Sequence, residues 1–232
     1  MIEHRPSEEL GGSSLGWLKA LHHFAIGPHG NPIHKPVGNL FVWNDDEIAP
    51  GSGFPFHTHA DVEIITYVRE GTISHRDSLG NSGQTNSGDV QVMSAGAGIR
   101  HSETNAQEVP TKLFQNWIAP RVKGGKPNWG TKPFPKADRA GRFVVLASGY
   151  PEDSDALSIR AEARVSGATL QSGSTISYPL AAGRKAYLVP ARGRVTVNGT
   201  DIQSRDGAAI SAEAVIQITA LEDTELVLVE TS

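Results

Sequence analysis

The sequence predicts an all-β protein built from antiparallel sandwich or barrel units. Three observations carry this. First, short runs rich in β-branched residues recur along the chain: Glu63–Val68, a run holding Gln91–Met93, then Phe143–Leu146, Thr175–Tyr178, Ala186–Val189, Arg194–Val197, Val215–Ile218 and Glu225–Val229. Second, turn signals separate them, at Leu79-Gly80-Asn81, Ser87-Gly88-Asp89, Asn198-Gly199 and Asp206-Gly207. Third, long helical periodicity is hard to find. Short strands at this spacing, punctuated by glycine and asparagine, are the signature of antiparallel sandwiches and barrels.

Bulk properties narrow the function. The chain has 232 residues, enough for one large β-barrel or two small ones. Hydrophobic residues at 38% and charged residues at 20% suit an ordinary globular protein. The 25 glycines and 14 prolines are spread along the chain, as many tight turns require. A formal net charge of -4 gives no global attraction to nucleic acid, so no direct nucleic-acid partner is expected. No run of 18 apolar residues is present, and no membrane association is expected. Met1–Leu10 carries Glu3, Glu8 and Glu9 and lacks the apolar stretch of a secretory signal, so a cytoplasmic location is expected. Cysteine is absent, which excludes disulfides and thiolate metal sites; any metal must be held by histidine and carboxylate.

The stretch Pro120–Arg142 breaks the strand pattern, with four prolines, four glycines and the basic residues Arg121, Lys123, Lys126, Lys132, Lys136, Arg139 and Arg142. It reads as a solvated crossover rather than a nucleic-acid patch. The expected division is a first domain at 1–120, a linker at 121–139 and a second domain at 140–232. Val68-Arg69-Glu70-Gly71 and Val189-Pro190-Ala191-Arg192-Gly193 hint at equivalent turns in the two halves.

All nine histidines lie at or before position 101, so a metal site belongs to the first domain. His57 and His59 are two residues apart, and so are His101 and Glu103. Side chains at i and i+2 on a strand share a face. Two such pairs on neighbouring strands supply three nitrogens and one carboxylate oxygen, a set that suits Fe(II), Mn(II), Ni(II), Cu(II) or Zn(II). His75 beside its turn reads as structural or as a pocket-rim group. His22 and His23, being adjacent, are expected to point opposite ways.

The flanks of these pairs resemble the two cupin motifs. Gly51 precedes His57-Thr58-His59 by five intervening residues, and Gly98, His101 and Asn105 match the ending of the second motif. The cupin pattern places a glutamate six residues before a glycine, whereas Glu63 has seven residues before Gly71. A one-residue slip turns a strand side chain to the other face, so Glu63 is expected outside the donor set. Residues 56–83 (FHTHADVEIITYVREGTISHRDSLGNSG), residues 88–103 (GDVQVMSAGAGIRHSE), Gly38–Gly53 and Gln115-Asn116-Trp117 closely resemble the pirin family.

That resemblance implies two cupin barrels packed face to face, with one metal in the N-terminal barrel on His57, His59, His101 and Glu103. It implies Fe(II) as the usual ion, with Mn, Ni, Cu or Zn as alternatives. It also implies quercetin 2,3-dioxygenase activity on a small aromatic, flavonol-like substrate with O2, Glu103 being the candidate catalytic base. Phe54, Phe56, Met93 and Trp117 read either as an apolar mouth or as core residues. The alternative is a metal- or redox-sensing regulatory protein that meets a protein partner without turnover. A monomer is expected, with a C-terminal barrel that holds no metal.

Overall fold

Strand alternation decides what enters each barrel. The computed structural model describes every residue, Met1–Ser232. The first half contains β1 (Ile2–Arg5), β2 (Gly11–Ser14), β3 (Leu18–His22), β4 (Leu40–Ile48), β5 (Ser52–His59), β6 (Glu63–Glu70), β7 (Thr72–Asp77), β8 (Ser82–Asn86), β9 (Val90–Ser94), β10 (Ile99–Asn105), β11 (Thr111–Ile118) and β12 (Asn128–Lys132). The second half contains β13 (Val144–Ser148), β14 (Leu157–Ser158), β15 (Ala163–Leu170), β16 (Thr175–Pro179), β17 (Lys185–Arg192), β18 (Val195–Val197), β19 (Thr200–Ile202), β20 (Gly207–Ser211), β21 (Val215–Ala220) and β22 (Thr224–Thr231). No helix is long and apolar enough to cross a membrane.

Each half folds as a large sheet over a small one. In the first, β12-β9-β6-β11-β4-β3-β2 covers β5-β10-β7-β8; in the second, β1-β20-β17-β22-β15-β13-β14 covers β16-β21-β18-β19. The two large sheets meet back to back. Their shared face is the largest apolar cluster, with Trp43, Ile65, Tyr67, Val92 and Phe114 from one barrel and Val165, Tyr187, Val189, Val227 and Val229 from the other. Alternation on β17 shows the logic: Tyr187 and Val189 enter the interface, while Ala186 and Leu188 fill the second barrel. β6 does the same. Ile65 and Tyr67 face the interface, while Ile64 and Val68 face inward.

Glu63 follows the parity of Ile65 and Tyr67, as the slip before Gly71 predicts. Its carboxylate accepts hydrogen bonds from Ser94 Oγ and, across the interface, from the Arg160 backbone N–H at 3.1 Å.

Two segments depart from the expected division. The first strand, β1, pairs with β20 and so completes the second barrel's large sheet. The expected linker over 121–139 carries β12, which pairs with β9 of the first. Each segment covers what would otherwise be an open sheet edge. Prolines at 127 and 133 flank β12 without interrupting it, which is why composition alone hid the strand.

The two interiors differ in kind. Gly71 and Gly193 occupy matching turns at φ 77° and 78°, each against the threonine that opens a large-sheet strand of its barrel, Thr111 of β11 or Thr224 of β22. Counting from these anchors, Thr66, His75 and Gln115 correspond to Leu188, Val197 and Leu228, and strand pairing then matches Gln91, Glu103 and His101 to Ala208, Ile218 and Ile216. The strand registers agree: Thr66 pairs with Gln91 and Gln115 as Leu188 pairs with Ala208 and Leu228. All six replacements belong to the second barrel's apolar core. That barrel is filled by hydrocarbon where the first keeps a polar belt.

His23 stands at the interface, where its Nδ1 lies 2.9 Å from the Tyr187 hydroxyl. Burial, then the nearby Arg5 and Arg205, holds its pKa well below the usual histidine value. A folded-state value below the unfolded one means that only the unfolded chain gains this proton as pH falls through about 6.5. The protein therefore loses stability below that pH, at up to about 1.4 kcal/mol per pH unit for one proton. Urea unfolding of wild type and His23→Gln between pH 7.5 and 5.5 checks this. The variant should show the shallower decline, and equal slopes would mean that His23 takes up its proton alike in the folded and unfolded chain.

Candidate metal centre

The site sits on the small sheet of the first barrel. On β10 the pattern is strictly alternate: Ile99, His101, Glu103 and Asn105 are buried, and Arg100 and Thr104 are exposed. β10 pairs with β5 in a register that sets His101 opposite His57 and Ile99 opposite His59. The register shifts between His101 and Glu103, which faces Phe54, so β5 bulges at Pro55-Phe56. Proline fits there because β5 is an edge strand and the bulge needs no N–H from it. Gly53 completes the approach: a Cβ on it would stand 2.2 Å from the Glu103 carbonyl oxygen.

Three imidazoles converge. Ring centroids are 4.4 Å apart for His57 and His101, 4.7 Å for His57 and His59, and 5.2 Å for His59 and His101. Their ligating atoms lie within 4.8 Å of one another. His57 Nδ1 donates to the Pro55 carbonyl at 2.7 Å, which leaves Nε2 with its lone pair. Metal-binding histidines commonly anchor their second nitrogen in this way. His101 is 1% exposed, and neither ring nitrogen has a hydrogen-bond partner. Burial, with His57 beside it, pushes His101 down to about 3 and His59 to about 4, so both are neutral donors at neutral pH.

Glu103 is held from the opposite sheet. Gln91 Nε2 donates to one of its oxygens, and Gln115 Nε2 to the other at 2.7 Å. Both amides are oriented in turn. Thr85 Oγ1 donates to Gln91 Oε1 at 3.1 Å, and Trp117 Nε1 donates to Gln115 Oε1 at 3.0 Å. These glutamines belong to a polar row crossing the large sheet, His22–Asn44–Gln115–Thr66–Gln91–Thr131, each residue paired with the next. Burial, only partly offset by the glutamine bonds, pushes the Glu103 carboxyl up to about 7.

Glu103 converges with His101 and His75, in a group overlapping the three-imidazole cluster. Of the two readings of His75, the structural one fits and the rim one does not. It is 1% exposed, stacks on Trp129 with centroids 4.6 Å apart, and has its Nε2 3.2 Å from Asp77 Oδ2. His75-Arg76-Asp77 is itself an i,i+2 pair, the one signal available in sequence. Gln91, Gln115 and Asp46 left no comparable signal.

A cavity of about 280 Å³ opens on the cluster, lined by Leu18, His22, Asn44, Asp46, Phe54, His57, His59, Glu103, Gln115 and Trp117 among others. Of the four candidates for its mouth, Phe54 and Trp117 line it. Phe56 is 49% exposed beneath Arg100, and Met93 packs in a separate apolar cluster. His22 and His23 do point opposite ways, one to the cavity and one to the interface. Asp46 is buried, and burial, then Asp45 and Glu103, raises its carboxyl well above the usual range.

The donor set fits a divalent transition ion. An imidazole with two unpartnered nitrogens is costly to bury, and a metal ion is the partner that three converging lone pairs serve best.

Residues 3–118 match the Pirin family, and residues 145–231 match the quercetinase C-terminal cupin domain. The chain belongs to the pirin family. Among pirin relatives, it is 59% identical over 230 residues to the "Pirin-like protein" of Caulobacter vibrioides, covering 99% of each chain. It is 36% identical over 229 residues to the "Quercetin 2,3-dioxygenase" of Escherichia coli K12, covering 98% of this chain and 97% of the other. The crystal structure of the bacterial pirin YhhW from Escherichia coli in complex with nickel(II) superposes with a TM-score of 0.92 at 35% identity, covering 100% of this chain and 99% of the other.

Proposed function

We propose that this pirin-family protein is a metal-dependent dioxygenase that opens the heterocycle of flavonols such as quercetin, consuming O2 and releasing carbon monoxide. The observation that carries the proposal is the buried His101, with both nitrogens unpartnered, in a histidine cluster that faces an aromatic-walled cavity. His57, His59, His101 and Glu103 would hold the ion, Fe(II) being the ion proposed. The ion supplies a Lewis-acid centre that acidifies a chelated hydroxyl.

The chain's own residues do the rest. Phe54 and Trp117 give a flat ligand apolar walls. Glu103 can take the flavonol 3-hydroxyl proton on a carboxylate oxygen. Gln91 and Gln115 keep that carboxylate aimed while its charge changes. The relatives called quercetin 2,3-dioxygenase support the substrate class.

The test is oxygen uptake and carbon monoxide release by anaerobically Fe(II)-loaded protein given quercetin. Turnover above the protein-free rate is expected, and its absence would remove the proposal. Glu103→Gln should lower kcat by roughly 10²- to 10⁴-fold, the usual worth of a general base. A variant within threefold of wild type would take Glu103 out of the proton transfer.

A further inference from the structure

The cavity wall formed by β3 and β4 holds polar groups that the proposed chemistry does not use. Ser13 Oγ lies 3.0 Å from His22 Nε2, and His22 Nδ1 lies 2.8 Å from Asn44 Oδ1. An amide oxygen only accepts, so Nδ1 carries the hydrogen and Nε2 accepts from Ser13. The Asn44 amide thus turns Oδ1 toward His22. Its Nδ2, with two hydrogens, has no protein partner, and Asn44 lines the cavity. Two residues on, and hence on the same face of β4, Asp46 also lines it. Asp46 is 1% exposed, yet its Oδ1 has no hydrogen-bond partner.

Buried carboxyls are normally satisfied, and each exception calls for an explanation. Here a donor and an acceptor stand side by side on the large sheet, while His57 and His59 stand on the small one. Leu18, Phe54 and Trp117 supply apolar surface to the same cavity. Such a space suits a planar aromatic ligand with oxygen at both ends.

We infer that Asn44 and Asp46 recognise ring hydroxyls of the ligand remote from its metal-facing oxygens, making this wall the determinant of preference for polyhydroxylated aromatics. The inference rests on the proposed occupancy of the cavity by a flavonol-type ligand, but not on turnover. Asn44 Nδ2 donates to a hydroxyl oxygen. The Asp46 carboxyl pairs with a hydroxyl and gains the partner it lacks. Both residues are thus specificity-determining residues and take no part in the proton transfer at Glu103.

The experiment is calorimetric titration of nickel(II)-loaded full-length protein, under anaerobic conditions, with two ligands. Quercetin carries hydroxyls on both ring systems. 3-Hydroxyflavone keeps only the hydroxyl and carbonyl that face the metal. Wild type should bind quercetin at least tenfold more tightly. Asn44→Leu and Asp46→Leu should each weaken quercetin binding by about tenfold, the worth of one good hydrogen bond, and leave 3-hydroxyflavone within twofold. Equal losses for both ligands would show that the two residues merely shape the cavity, and would overturn the inference. So would a wild type that does not distinguish the ligands. If Asn44→Leu does not fold, Asn44→Asp serves, since it keeps the shape and removes the donor. Oxygen uptake with the Fe(II)-loaded protein separates the two readings: preference without turnover would sink the dioxygenase assignment and leave the recognition wall standing.

Discussion

His101→Ala is expected to abolish stoichiometric binding of Fe(II) or Ni(II). His101 is the hub of the site: its ring is 4.4 Å from His57, 5.2 Å from His59 and 5.3 Å from His75, and it belongs to both groups of converging donors. Removing a residue that only supports a ligand costs about 10- to 100-fold in metal affinity, and losing the hub should exceed that. The metal-free fold should survive. The substitution leaves a cavity, but it also removes an imidazole buried without partners, whose burial costs about 1–3 kcal/mol. Metal content by elemental analysis, read beside the thermal midpoint of the metal-free protein, checks both halves. Full occupancy in the variant would remove His101 from the ligand set. A collapsed midpoint would make its role structural.

Trp43→Ala carries the largest expected effect on stability. Trp43 is fully buried in the interface between the barrels, its ring 5.3 Å from Tyr187 of the other barrel and 5.4 Å from Phe114 of its own. Truncating such a side chain costs about 3–5 kcal/mol, a large share of a typical domain's stability. For a chain of this length that is a drop of roughly 6–20 °C in the midpoint. Because the cluster belongs to both barrels, they should lose stability together. Calorimetry should show one transition moved down, and Trp43→Phe should recover part of it. A shift under about 2 °C would mean that the interface contributes little and each barrel stands alone.

The candidate centre was legible in the sequence to the extent that it lay within single strands. His57-x-His59 and His101-x-Glu103 are local pairs, and strand geometry puts each pair on one face whatever the rest of the fold does. The one-residue slip at Glu63 is local in the same sense, and its side chain does turn to the interface. The supports were not legible. Gln91 and Gln115 reach Glu103 from another sheet, and His75 becomes a neighbour of Glu103 only through the β7–β10 register.

The amino-acid sequence by itself determined the all-β class and the confinement of histidine to the first 101 residues, because composition and period-two alternation are properties of the chain alone. The tertiary structure decided the rest. It chose which face of each strand meets the other barrel, and it sent β1 to the second barrel and β12 to the first. It also made one interior a polar belt around Glu103 and the other a hydrocarbon core. Those outcomes depend on register and on sheet-to-sheet packing between residues far apart in sequence, and local pattern carries no record of which distant strand will arrive alongside.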